Sequence, residues 1–323
     1  MPRLSKYPLR PIDLGGLHTI PIGERGGKVR VEQFAARTPK GAPAGQWLER
    51  LPRILAADSF RALVEAIEGA RRAGKPVIWG LGGHVIKCGL APVLIDLMER
   101  GFATAFAMNG AAAIHDFEIA LCGQTSEDVE AVLPEGRFGT AEETGREMNR
   151  AYGDGVRDGL GAGEALGRHL DSLAPAEFAP YSLLLAAWRR GVPVTVHIAI
   201  GADTPHTHPA ADPAALGAAT HHDFRLFCTL AAGLNGGGVY VNVGSAVLLP
   251  EVFLKAVSAV RNLGYPLRQF TTANLDFIQH YRPRVNVVSR PHAEAGGQGI
   301  ALTGHHELML PLLAAVLADR DPA

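Results

Sequence analysis

The stretch GGGVYVNVGSAVLLPEVFLKAV, residues 236–257, is the one on which the fold turns. Val239 to Val243 form a short apolar strand between two glycine turns, and the second turn runs straight into an amphipathic helix. The same pattern lies upstream. PVIWGL (76–81) reads as a buried strand, GGH as a turn, and 85–101 as a helix with a proline inside. ATAFAMN (103–109) is the next strand, and Gly110 opens a helix through Leu121. Before them, Ser59 can cap a helix whose apolar face is Leu63, Ile67 and Ala70. Downstream come a helix from Tyr181 to Arg190, the strand PVTVHIAI (193–200), which reads as central, and a helix from Leu216 to Leu234. A helix from Pro250 to Leu263 and a strand PLRQFTT (266–272) follow, and the tail offers VNVVS (285–289), GIALTG (299–304) and a helix over 305–319. Strands separated by helices in a near-continuous series predict an α/β, doubly wound, mostly parallel sheet covered on both faces.

The expected organisation is an N-terminal arm over 1–45, with Val29 to Phe34 as a short strand, and one domain over 46–323. A charged, glycine-studded segment at about 126–173 interrupts the rhythm and reads as a helical insertion or flap. Of the 323 residues 47% are hydrophobic and 20% charged, which excludes a disordered chain. A formal net charge of −1 gives no overall pull toward nucleic acid or an anionic membrane. No run approaches a membrane span, and the N-terminus lacks a signal-peptide core. Three cysteines without a CxxC pair fit a reducing compartment, so the cytoplasm is the expected location and each cysteine is expected to be a small buried hydrophobe.

In such a sheet ligands bind beyond the carboxyl ends of the strands. Three glycine turns qualify: Gly80-Leu81-Gly82-Gly83, Asn109-Gly110 and Gly244-Ser245. Glycine admits a pyrophosphate close to the backbone, although none of the three matches G-x-G-x-x-G and tight packing explains each equally simply. In GADTPHTHPAAD (201–212), His206 and His208 alternate and would point the same way on an extended loop, as metal ligands or as acid and base. In the tail, Arg284 and Arg290 stand near His292, suited to an anion or to a plain solvated edge. His305 and His306, at a helix start, read as structural.

PVIWGLGGHVIKCGL, AMNGAAAIHDFEIAL, LNGGGVYVNV and FTTANLDF occur in an order that resembles the deoxyhypusine synthase family. The resemblance implies a Rossmann-like sheet, a homo-oligomer (dimer or tetramer) with sites near subunit interfaces, and bound NAD. It carries Gly80, Gly82, Gly110, Asp203, Gly236, Gly237, Gly238, Thr272 and Ala273 over as cofactor-binding candidates; Gly83 and Asn109 join them from the glycine turns, and Asp276 is a substrate-binding candidate. The family's catalytic lysine segment corresponds to Ser289-Arg290-Pro291-His292, and no lysine follows Lys255. Deoxyhypusine synthesis itself is therefore not expected. The expectation is an NAD-binding enzyme for a small, anionic molecule, with His206, His208 and His292 as catalytic candidates and Arg284 and Arg290 on the substrate. The alternatives are a divalent-metal hydrolase or lyase using His206 and His208, and a non-catalytic ligand-binding homologue.

Overall fold

A computed structural model describes residues 6–321. The helices are α1 (Ala44–Arg50), α2 (Leu55–Arg72), α3 (Gly83–Lys87), α4 (Ala91–Glu99), α5 (Gly110–Cys122), α6 (Val129–Val132), α7 (Glu142–Arg157), α8 (Ala162–Leu173), α9 (Leu183–Arg190), α10 (Pro213–Gly233), α11 (Leu248–Asn262) and α12 (His306–Asp319). The strands are β1 (Val77–Leu81), β2 (Ala105–Asn109), β3 (Val194–His197), β4 (Val239–Val243), β5 (Phe270–Asp276) and β6 (Gly297–Thr303). They form one all-parallel sheet in the order β3-β2-β1-β4-β5-β6, the Rossmann-like arrangement, with the order reversing between β1 and β4.

Both faces are covered, which is why β1 and β4 are apolar at nearly every position. Val77, Trp79 and Leu81 join a core shared with α2, α4, α5, α8, α9 and α12. Ile78 and Tyr240 join the opposite core, built on Phe227 of α10 and Phe253 of α11. The Trp79 indole donates to the Phe102 carbonyl at 3.0 Å, so the largest buried side chain leaves no orphan donor. In the stretch 126–173, α7 and α8 bury Met148, Tyr152, Leu166 and Leu170 in the first core. No helix among the described residues is long and apolar enough to cross a membrane.

Several elements differ from the sequence reading. Ser59 lies inside α2 rather than capping it, because the helix starts at Leu55. The segment 85–101 is two helices: Gly89 takes φ +74° and Pro92 stands in the first turn of α4, where its missing N–H costs nothing. Strand β3 is at the sheet edge, not central; its outer backbone is covered by Asp223 of α10, which accepts from Val196 N at 2.7 Å. Strand β5 begins at Phe270, later than Pro266. Residues 285–289 are not a strand: Pro283–Ser289 winds into a wide helical turn, with the Thr272 hydroxyl donating to the Val287 carbonyl at 2.6 Å. In the arm, Val31–Gln33 is a single 3-10 turn in place of a strand.

Candidate functional site

Parallel pairing gathers the ends of β1, β2, β4 and β5 on one edge, and with them Gly82, Gly83, Asn109, Gly110 and Asp276. Asp203 joins them: it accepts from Ala199 N at 2.7 Å, and its Oδ2 lies 1.9 Å from where a Cβ on Gly110 would stand. Gly236, Gly237 and Gly238 precede β4 and therefore sit at the opposite, amino edge. The structure does not bring them to the other glycine turns. Gly80 faces the second core, where the Tyr240 hydroxyl takes the room of its side chain. Thr272 and Ala273 are mid-strand; Ala273 is core, while Thr272 meets His292 Nε2 at 2.8 Å.

The two loop histidines part company, since Pro205–Thr207 is a 3-10 turn and not an extended loop. His206 Nε2 accepts from Gly201 N at 3.1 Å. His208 Nδ1 accepts from Ala210 N at 3.1 Å, so its Nε2–H donates to Glu142, also at 3.1 Å. Each ring has its own structural partner, and among the described residues the two belong to no shared group of three metal-ligating side chains. Arg290 donates to Asn286 and borders a groove with Arg261 and Arg268, residues that lead into β5 at its amino end. Arg284 is exposed at the other end of the wide turn. The two arginines do not converge on one anion.

A dinucleotide needs free backbone N–H groups and empty space at the glycine turns. Here the chain takes up part of that room. A Cβ on Gly82 would lie 2.0 Å from the Gly244 carbonyl oxygen, so β1 and β4 close on each other at the switch point. A Cβ on Gly83 would meet Ala111, and the N-terminus of α5 already holds the Asn109 side chain, which accepts from Ala112 N at 2.9 Å, and the Asp203 carboxylate. As folded, the chain packs closely at Gly82, Gly83 and Gly110.

The large opening lies beside them. A cavity of about 780 Å³ is walled by α5, the 123–141 loop and α7. A narrower space lined by His115, Glu118 and Asp203 adjoins it and leads toward the end of β2. Four carboxylates, Glu118, Glu127, Glu143 and Glu147, face two guanidinium groups, Arg137 and Arg146. Both arginines are already engaged: Arg146 by Glu142 and Glu147, Arg137 by Glu135.

At the inner wall, Thr125 donates to Glu118 Oε2, and Thr144 donates to its Oε1 at 3.2 Å. Because the Thr125 proton is committed, His115 Nδ1 must be the donor in its 2.7 Å bond to that hydroxyl. Burial alone would push the Glu118 carboxyl up; hydrogen bonds from His115, Thr125 and Thr144 outweigh it and hold the group below the usual range. The result is a half-buried carboxylate held by two hydroxyl donors, with the His115 Nδ1 3.9 Å from Oε2. His115 also reaches the switch point, its Cδ2 lying 3.3 Å from the Cβ position of Gly83. None of these residues stood out in the sequence as a site. The available signal was His115 and Glu118 at i and i+3 on the helix after a strand's carboxyl end, which places both on one face.

No protein-family profile matches the sequence, and no curated protein does. Among solved structures, unliganded AgrE is 18% identical with a TM-score of 0.53, over 83% of this chain and 34% of that one. AgrE in a ternary complex with ornithine and NAD+ is 16% identical with a TM-score of 0.51, over 83% and 34%. The chain thus spans about a third of the length of AgrE, and the likeness is one of fold. A candidate deoxyhypusine synthase from Entamoeba histolytica is 8% identical with a TM-score of 0.48, over 87% and 95%.

Proposed function

We propose that this protein is a Rossmann-like enzyme that takes a small cationic molecule, an amine or guanidine, into the cavity beside Glu118. The observation that carries this reading is the surplus of carboxylates around that cavity, with Glu118 ionised and contacted only by hydroxyls and an imidazole. A half-buried carboxylate with no lysine or arginine on it is the complement of an ammonium or guanidinium head. His115 is the acid/base candidate: its Nδ1–H is tied to Thr125, which leaves Nε2 as the atom to accept or return a proton. The Thr125 and Glu118 pair behind it fixes the ring tautomer and steadies the imidazolium that proton uptake creates.

This replaces the anionic substrate expected from Arg284 and Arg290. NAD keeps the support of the strand order and of a similarly folded protein crystallised with it. The close packing at Gly82 and Gly110 opposes it, and no chemical step is assigned to a nicotinamide here. A homo-oligomer and a small-molecule partner belong to the same reading.

Thermal melts with ornithine, agmatine and putrescine, against neutral and anionic analogues and against NAD, test it. A ligand at a hundred times its Kd adds about 2.7 kcal/mol of stability. The cations should raise Tm, and Glu118→Gln should abolish the shift while keeping the unliganded Tm within a few degrees. A shift with anions alone would overturn the assignment.

A further inference from the structure

Away from that cavity, at the carboxyl end of β1, three side chains of different chemistry meet. His84 and Cys88 are four residues apart on the turn of α3, and the Cys88 N–H bonds the His84 carbonyl at 2.9 Å, so one helical turn sets both side chains. Cys88 Sγ lies 3.3 Å from His84 Nε2 and 3.9 Å from Glu307 Oε2, and the three ligand atoms are all within 4.8 Å of one another. A zinc tetrahedron with bonds of about 2.0 to 2.3 Å has edges of about 3.3 to 3.6 Å, so closing around an ion asks for small side-chain shifts only.

A second observation points the same way. His306, beside Glu307, is 1% exposed; its Nε2 is 3.2 Å from the Leu275 carbonyl, while its buried Nδ1 has no hydrogen-bond partner. With the proton on Nε2, Nδ1 is an unused acceptor, its ring 5.6 Å from that of His84.

We propose that His84, Cys88 and Glu307 bind a thiolate-preferring divalent transition metal, zinc foremost, with a fourth position open to water. A soft sulfur ligand beside imidazole and carboxylate suits zinc and not magnesium or calcium, which take oxygen. Three protein ligands with an open position is the arrangement of zinc sites that hold a water or substrate. The His306 ring stands next to that position, 5.6 Å from the His84 ring. A cysteine nucleophile is the competing reading of the same trio. It requires the carboxylate on the far imidazole nitrogen and a lowered thiol pKa. Here Glu307 approaches sulfur instead, 3.9 Å from Sγ.

Cobalt(II) titration of the purified full-length chain tests the site. One equivalent should give a near-ultraviolet sulfur-to-cobalt band that zinc abolishes. Cys88→Ser should remove the band, His84→Ala should weaken binding by about a hundredfold, and Cys122→Ser should change nothing. Metal-free melts of each variant show whether it is folded. Alkylation of Cys88 by iodoacetamide should slow when zinc is present. No band in the wild type, a band that survives Cys88→Ser, or alkylation indifferent to zinc would each overturn the proposal.

Discussion

Asp223 is fully buried where α8, β3 and α10 meet, and one of its oxygens accepts from both Val196 N at 2.7 Å and Gly163 N at 2.8 Å. Gly163 has to be glycine for this, since a Cβ there would lie 2.0 Å from the Val194 carbonyl oxygen. Burial pushes the Asp223 carboxyl from 3.8 up to about 7, against the pull of those N–H bonds. A carboxyl whose folded pKa lies above its unfolded value holds its proton more tightly in the native state. Its contribution is complete below the unfolded pKa and declines as pH rises to the folded one. Buried His197, lowered by burial to about 4, slopes the other way, so the informative quantity is the variant compared with the wild type. Asp223→Asn should be less stable throughout, and its deficit in Tm should shrink as pH rises from about 4 to about 7. A deficit that grows over this range would show that the N–H bonds, not burial, set the carboxyl's charge.

Among the elements, the wide turn Pro283–Ser289 depends most on its surroundings. Its valines suit a strand, and nothing local in VNVVS argues otherwise. Tertiary bonds decide: the Thr272 hydroxyl on Val287, Glu251 accepting from Asn286 at 2.9 Å, and Gly299 of β6 lying close against Val288. Gly299→Ala would set a Cβ 1.8 Å from the Val288 carbonyl oxygen, forcing the turn off the sheet. It should cost about 1 to 3 kcal/mol in urea unfolding, and an unchanged midpoint would mean the turn is not seated there. The same logic separates what sequence could reveal from what it could not. Strands β1, β2 and β4 are legible because a doubly covered sheet demands unbroken apolar runs. The extra length given to β3 and the misplaced start of β5 reflect edges that no local pattern marks. At the site, His115 and Glu118 share a helix face and could be paired from spacing, but Thr125 and Thr144 reach them from a loop and a later helix. Likewise His84 and Cys88 could be joined by their spacing, whereas Glu307, more than 200 residues later, required the sheet.

For the whole molecule, the arm and the sheet order matter most. Residues 9–34 leave Leu9, Ile12, Leu14, Leu17, Ile20 and Ile22 from 63% to 86% exposed, an outlay a lone chain gains nothing from. Deleting residues 1–30 should leave the Tm of the remaining domain within a few degrees and shift sedimentation toward a smaller species. Unchanged sedimentation would show that the arm plays no part in assembly. The closure of β1 on β4 bears on synthesis. Val77 pairs with Val239, so the inner edge of β1 has no neighbour until 162 further residues have been made. At about 5 to 20 residues per second that is a wait of roughly ten to thirty seconds. For that time the nascent half-sheet ends on an apolar strand, β1, with one edge unpaired. Yield in the cell should therefore be governed less by final stability than by how well that edge is shielded while the second half emerges.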